Sequence, residues 1–438
     1  MKRRLLVGFV WGLGCGNCGE EPLDGGRDAA VVPADAGSED LWERDDEVEL
    51  GPAVDDGEHL PTPQPGRHDV KVLSTLQVVP SEGLPPDLDV MAANNSLDVV
   101  RFEGRVFLAW RTAPDPFASS EALVHVVSSP DEVDWEGGAT FNVARDLREP
   151  RFLVVGSSLL LYTTVLGTDP LAFEPYDVLV AERVGAGVWS EPQSLRRADT
   201  VVWRTKVHQG QPMIISYTGT GGLSTEMEPL RVWLDTTVDG RAWRPYSRAN
   251  PFVVEGGVSE ADFAVGDDGT AFGVSRNERG DDDGFGSKVC RSTPTDISDW
   301  SCVADRRKFD SPLMFWHDGE AYLVARRNVT ADGAFDLGRD DLSPSEQLAV
   351  YQGEYGKARK RCSIWRYDQE RDAIVFMVDL PARGDTCVPG LIESAAPGEF
   401  ILYNYSSPLD SDEDPSWVSG QTAPTRIYRH AIRFTSRD

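Results

Sequence analysis

Three segments of this chain place an aspartate four residues ahead of a tryptophan: Asp131 with Trp135, Asp239 with Trp243, and Asp296 with Trp300. Each closes a longer unit, a strand with charged residues at its head, then a turn, then an apolar strand, recurring at roughly 50–60 residues. A module of that size cannot bury its own apolar face, so the repeat forces the chain into stacked or radially arranged copies. The first strands open at Ser96, Arg148, Val201, Ser259, Asp310 and Asp385, which makes six copies, the last the weakest.

In the first copy two apolar runs flank the turn Glu103-Gly104 between Ser96 and Arg111, a hairpin pattern. A third run follows in each unit, as in EALVHVVSS, YDVLVAERV and PLRVWLDTT, and with an outer strand it completes a four-stranded blade. The run KVLSTLQVV, ahead of the first full unit, supplies the strand that closes such a ring between its first and last blades. The expectation is an all-β chain, a six-bladed β-propeller over residues 68–438, with a five-bladed propeller plus an extra β segment as the alternative. Hairpins recur without a Greek-key crossover, which argues against a sandwich, and long amphipathic helices are not evident. A chain of 438 residues fits around one axis in a repeat fold of this kind.

Residues 1–15 read as an export signal of bacterial lipoprotein type, with Lys2, Arg3 and Arg4 ahead of the apolar run Leu5 to Leu13 and then Gly14-Cys15. Cys15 is the expected lipidation site, ahead of Cys18. Lipidation there would leave the mature chain anchored by lipid alone, since no later apolar stretch is long enough to span a membrane. Residues 16–67 are rich in Asp, Glu, Gly, Pro and Ala and read as an acidic disordered tether. The formal charge of −29 makes nucleic acid an improbable partner. The location expected is exported, an outer-membrane or cell-surface lipoprotein, otherwise periplasmic or secreted. The remaining cysteines form two sequence-local pairs, Cys290 with Cys302 and Cys362 with Cys387, which an oxidising compartment would join as disulfides. No cofactor or metal is expected; the acidic loop Gly280 to Gly284 could take calcium but reads as a solvated turn.

The Asp and Trp tails read as turn-stabilising, the carboxylate capping backbone N–H groups and the ring packing beneath. The heads of the units are a different matter. Inner strands of a propeller line its channel, so residues far apart in sequence converge there: Asp98, Arg148, Glu149 and Arg151, Trp203 and Arg204, Glu260, Asp310 and Asp385. The ends of the next strands add Arg111, Arg276, Glu278, Arg327 and Tyr405. Burying such charges is costly without partners, so they form either a self-satisfied plug or a site. Carboxylates flanked by arginines suit glycosyl transfer to water, in which one acid protonates the leaving oxygen and one base or nucleophile acts on the opposite face.

On these residues the chain resembles the sialidase-like propeller glycosidases, the group that also holds arabinanases and invertases. The tails resemble the Asp-box of sialidases, and Arg148-Glu149-Pro150 looks like the Arg-Asp-Pro motif of the invertase and arabinanase branches. The resemblance implies a glycoside hydrolase acting on an acidic or highly hydroxylated glycan, with Asp98 as nucleophile or base, Glu149 as the motif carboxylate and Glu260 as general acid. It also implies an arginine cluster for a substrate carboxylate, for which Arg111, Arg204, Arg276 and Arg327 are candidates, and it makes Tyr405 a possible counterpart of the sialidase tyrosine. The partner expected is a glycan, bound by a monomer. The alternative is a non-catalytic glycan- or protein-binding propeller of the cell envelope.

Overall fold

The computed structural model describes residues 60–437 apart from 65, 171, 220–227 and 278, so the signal, Cys15, most of the tether and Glu278 lie outside the described residues. Six antiparallel sheets follow one another along the chain, which settles the blade count at six. Blade one runs through Ala93–Phe102, Arg105–Ala113, Leu123–Ser129 and Glu136–Phe141, in that order from the channel outward. The inner strands of the next four blades are Asp146–Val155, Thr200–His208, Val258–Val265 and Leu313–His317. Blade six is built from Gly390–Glu393, Glu399–Ser406 and Arg426–Ser436, and its outer strand is His68–Val79 from the other end of the chain. The ring is thus closed by hydrogen bonds between the first and last strands, as the position of KVLSTLQVV suggests.

The core lies in the seams between blades. Strands of adjacent blades contribute to one apolar cluster; Leu97, Val99 and Trp110 of blade one, for example, pack with Ile401 and Tyr403 of blade six. The repeated Trp keys these seams: Trp135 meets Tyr403 edge-on at 6.3 Å, and Trp243 of blade three meets Tyr162 of blade two at 5.6 Å. Edge-to-face pairs of this kind add to the area they bury. The aspartates ahead of them cap the turn. Asp131 Oδ1 accepts from the amides of Asp134 and Val133, and Asp239 Oδ1 from those of Ala242 and Arg241. These amides hold both carboxylates below their ordinary range.

Two disulfides are present. Cys290–Cys302 joins directly paired strands inside blade four, and Cys362–Cys387 ties the third strand of blade five to the segment that leads into blade six. In the acidic loop, the Lys288 ammonium lies 2.8 Å from Asp281 Oδ1 and 2.9 Å from Asp283 Oδ2, so a side chain already neutralises part of its charge.

The sequence reading missed a helix, Pro344–Lys357, inserted between the second and third strands of blade five. Its signal is nonetheless local. Ser343 accepts from the Glu346 amide while the Glu346 carboxylate accepts from Ser343 N, a complete capping box, and Pro344 stands at the first helical turn. Leu348, Tyr351 and Tyr355 share one face and pack on Phe285 and Phe335. Among the described residues no helix is long and apolar enough to cross a membrane.

If the tryptophans carry the seams and the aspartates only the turns, Trp135→Ala should cost about 3–5 kcal/mol, as expected for a buried Trp. Asp131→Ala should cost clearly less. Urea denaturation of the two variants measures the difference; equal losses would show that the turn, rather than the seam, carries the repeat.

Candidate functional site

Charged side chains reach the channel because the inner strands are irregular at their heads. Pairing with the second strand slips between Asn95 and Leu97 in blade one, Arg148 and Arg151 in blade two, Val202 and Arg204 in blade three, and Val258 and Ala261 in blade four. An extra residue at such a bulge re-aims its side chain and leaves neighbouring backbone groups unpaired. Ser96, Glu149 and Ser311 hold left-handed backbone at φ 45°, 50° and 57°, which is uncommon for residues other than glycine.

Carbonyls at or just ahead of the inner-strand heads are taken up by two buried arginines. Arg151 donates through Nη1 to Leu97 O at 2.8 Å and through Nε to Trp203 O at 2.5 Å. Arg204 donates through Nε to Pro312 O at 3.0 Å and through Nη1 to Pro389 O at 2.9 Å. Between them the two guanidiniums tie inner-strand heads of blades one, three, five and six across the channel. Burial, then the nearby Arg151 charge, lowers the Arg204 pKa to about 10. In the same layer Asp98 Oδ2 accepts from Phe152 N at 2.8 Å, and Asp262 Oδ2 from Met314 N at 2.6 Å, each binding the inner strand of the following blade. Burial raises the Asp98 pKa against the pull of Arg151 and Arg204. This layer is a largely paired plug, with Asp262 Oδ1 left without a hydrogen-bond partner.

Beside it at the channel mouth lies a cavity of about 210 Å³. Of the residues singled out from sequence, Arg148, Glu149, Trp203, Glu260, Arg276, Asp310, Asp385 and Tyr405 line it. Asp98, Arg151 and Arg204 do not; they belong to the plug. Arg111 is fully buried, its guanidinium held by Asp146 and the carbonyls of Asp115 and Phe117. Arg327 pairs instead with Asp379. Strand alternation explains that displacement, because the neighbouring Arg326 takes the cavity face. Lys308, Arg279, Gln352 and Trp417 also line the cavity and were not foreseen as site residues.

Glu149 and Glu260 are held differently. Glu149 accepts from Ser96 Oγ at 3.1 Å and from Arg151 Nη2 at 2.7 Å, so it is anchored to the plug. Glu260 accepts from Ser311 N at 2.7 Å and pairs with Arg276 Nη1 at 2.9 Å, and the same nitrogen lies 3.9 Å from Asp310 Oδ1. Burial raises the Glu260 pKa to about 7; Arg276 opposes the rise, while the charges of Asp310 and Glu149 reinforce it. Asp310 goes the other way: burial is overcome by Lys308, Arg326 and Arg276, and its carboxyl stays below the ordinary range. Two neighbouring carboxylates with pKa values pushed apart form an acid and a charge that sustains it.

The rest of the wall is aromatic and amide. Tyr405 donates to Asp385 Oδ1 at 2.9 Å, and Trp417 Nε1 donates to the same oxygen at 3.1 Å. Burial and the Asp385 charge keep the Tyr405 phenol protonated. Trp417 lies in the short helix Trp417–Gln421, within the polar loop after blade six's second strand, and its ring packs on Tyr355 of the inserted helix. Asn95 Oδ1, Asp310 Oδ1 and Gln352 Nε2 have no hydrogen-bond partner within the protein.

No family model matches the chain, and no curated protein matches it in sequence. Solved structures match it in shape. A protein of unknown function from Dyadobacter fermentans superposes with a TM-score of 0.54 and 12% identity, over 84% of this chain and 99% of that one. The endosialidase of phage phi92 gives 0.53 at 9% identity, over 85% and 70%. The fold is that of the sialidase propellers. The sialidase of Trypanosoma rangeli, solved with sialic acid, gives 0.51 at 12% identity over 85% of this chain, which spans 60% of that enzyme. At these identities the likeness is one of fold.

Because Arg204 serves carbonyls of two other blades, Arg204→Leu should lower the unfolding midpoint far more than Arg327→Leu, whose partner Asp379 lies outside the channel. Thermal unfolding compares them; equal shifts would mean the channel layer does not bind the inner strands together.

Proposed function

We propose that the chain is a glycoside hydrolase acting on a highly hydroxylated or acidic glycan, with Glu260 as general acid and Glu149 as the base or nucleophile across the cavity. The observation that carries this reading is the setting of the Glu260 carboxyl, at the cavity wall against Arg276 and near Asp310: burial and the Asp310 charge raise its pKa to about 7, which suits a group that must protonate a leaving oxygen. Arg276 and Asp310 set that proton affinity in opposite senses. Arg148, Arg326 and Lys308 supply positive charge for substrate hydroxyl or carboxylate groups, and Asn95 and Gln352 supply neutral partners. Asp98, which the resemblance suggested as nucleophile or base, does not line the cavity, and its Oδ2 accepts from the Phe152 amide, so this reading gives it no role in the chemistry.

One specific observation favours a second reading, a non-catalytic glycan-binding propeller. Each carboxylate on the cavity wall already accepts a hydrogen bond from a neighbouring group: Glu149 from Arg151, Glu260 from Ser311 N, Asp310 from Arg326, and Asp385 from Tyr405. Substrate would have to displace or share these partners for proton transfer to occur. The N-terminal signal adds the location: an exported protein held at the envelope through lipid on Cys15, with a glycan as its partner.

The test is hydrolysis of sialyl, arabinosyl and uronyl glycosides. Glu260→Gln and Glu149→Gln should each lower kcat by about 100-fold or more, and kcat/KM of the wild type should decline as pH rises through about 7, when Glu260 loses its proton. Binding that persists with no turnover in the wild type would favour the second reading.

A further inference from the structure

Charge is distributed unevenly around the cavity. Blade two brings Arg148 and Glu149; blade four Glu260, Arg276 and Arg279; blade five Lys308, Asp310 and Arg326; and blade six Asp385 with Tyr405. Among the described residues blade three brings no charge at all. Its contribution is Val201, Trp203, Tyr217, Gly219 and Leu230, and the next strand of blade two continues the surface with Leu166. The arginine at the head of blade three's inner strand, Arg204, is turned away into the plug, where it is spent on the carbonyls of Pro312 and Pro389. What blade three leaves at the cavity is the face of an apolar core, continuous with the cluster of Val201, Trp203, Tyr217 and Val232.

This uncharged sector has a fixed place relative to the candidate chemistry. Glu149 stands on the inner strand of the blade before it and Glu260 on that of the blade after it, so the two carboxylates flank it. Sugar hydroxyls find few hydrogen-bond partners on such a wall, whereas an apolar group loses water-exposed surface there. We propose that blade three seats an apolar aglycone, an aryl or alkyl group attached across the glycosidic oxygen, while the polar wall of blades four to six holds the sugar. The inference rests on the hydrolase reading for the word aglycone, but the apolar seat itself does not depend on turnover.

The experiment measures, by calorimetry on Glu260→Gln protein, the affinities of phenyl and methyl glycosides of sialic acid, arabinofuranose and glucuronic acid, and of phenol alone. For a sugar that binds, the phenyl glycoside should bind about tenfold tighter than its methyl counterpart or better, in line with the apolar surface withdrawn from water. Leu230→Gln and the near-isosteric Val201→Thr should erase most of that preference and leave the methyl glycoside within about twofold, with Val201→Thr guarding against loss of fold. Equal affinities for phenyl and methyl forms would overturn the proposal, as would a preference that survives both substitutions. If no glycoside binds, the hydrolase reading falls separately and phenol decides: saturable binding that both variants lose keeps the apolar seat, and no binding removes it.

Discussion

The contacts on which the channel depends are those between two guanidiniums and carbonyls at the heads of the inner strands, some at bulges and others, Pro312 and Pro389, just ahead of their strands. A buried carbonyl without a donor costs free energy comparable to a lost hydrogen bond, and each bulge exposes such groups where the blades converge and water is scarce. Arg151 and Arg204 answer several of these carbonyls at once, and the fork of donors on a guanidinium is suited to doing so. Buried cations need counter-charge in turn, and Asp98, Glu149 and Asp262 lie close enough to supply it to Arg204. The bulges, the arginines and the carboxylates of this layer are therefore one arrangement.

The cavity inherits its chemistry from that layer. Glu149 is steered by Arg151 beneath it, so one candidate carboxylate is fixed by a group that is itself fixed by the blades. Glu260 is steered from its side, by the Ser311 amide that a left-handed turn ahead of blade five presents to it. The inserted helix and the loop after blade six's second strand then wall off the side of blades five and six. Tyr355 donates to Asp310 at 2.6 Å and packs against Trp417, which donates to Asp385. The disulfide Cys362–Cys387 holds the segment carrying Asp385 to blade five. Partial desolvation of Glu260 follows from this enclosure, and its raised proton affinity follows from the desolvation.

Much of the fold was legible because its determinants are local and repeated. Hairpin turns such as Glu103-Gly104, the Asp and Trp tails, and the extra strand before blade one each have a signature within a few residues, and together they specify six blades and their closure. The site was only partly legible, since parity and pairing decide which charged head reaches the cavity. Arg326 and Arg327 are adjacent and chemically identical, yet one faces the cavity and the other Asp379. Asp98 and Glu149 both head inner strands, but only Glu149 falls on the bulge that turns it upward. Lys308 and Gln352 carried no repeat signal because they lie on the approach to blade five and on an inserted helix. The capping box at Ser343 and Glu346 is a local signal for that helix, but it is a single motif set within a β repeat that runs along the rest of the ring.

The proposed chemistry turns on the protonation state of one group, the Glu260 carboxyl. Carbon-13 detected NMR titration of glutamate-labelled protein, with Glu260→Gln used to assign the resonance, reads the Glu260 carboxyl itself without any substrate. The expected midpoint is near 7 and rises further when Arg276 is replaced by Gln, because that guanidinium opposes the effect of burial. A midpoint at the ordinary value for glutamate, unmoved by loss of Arg276, would contradict it.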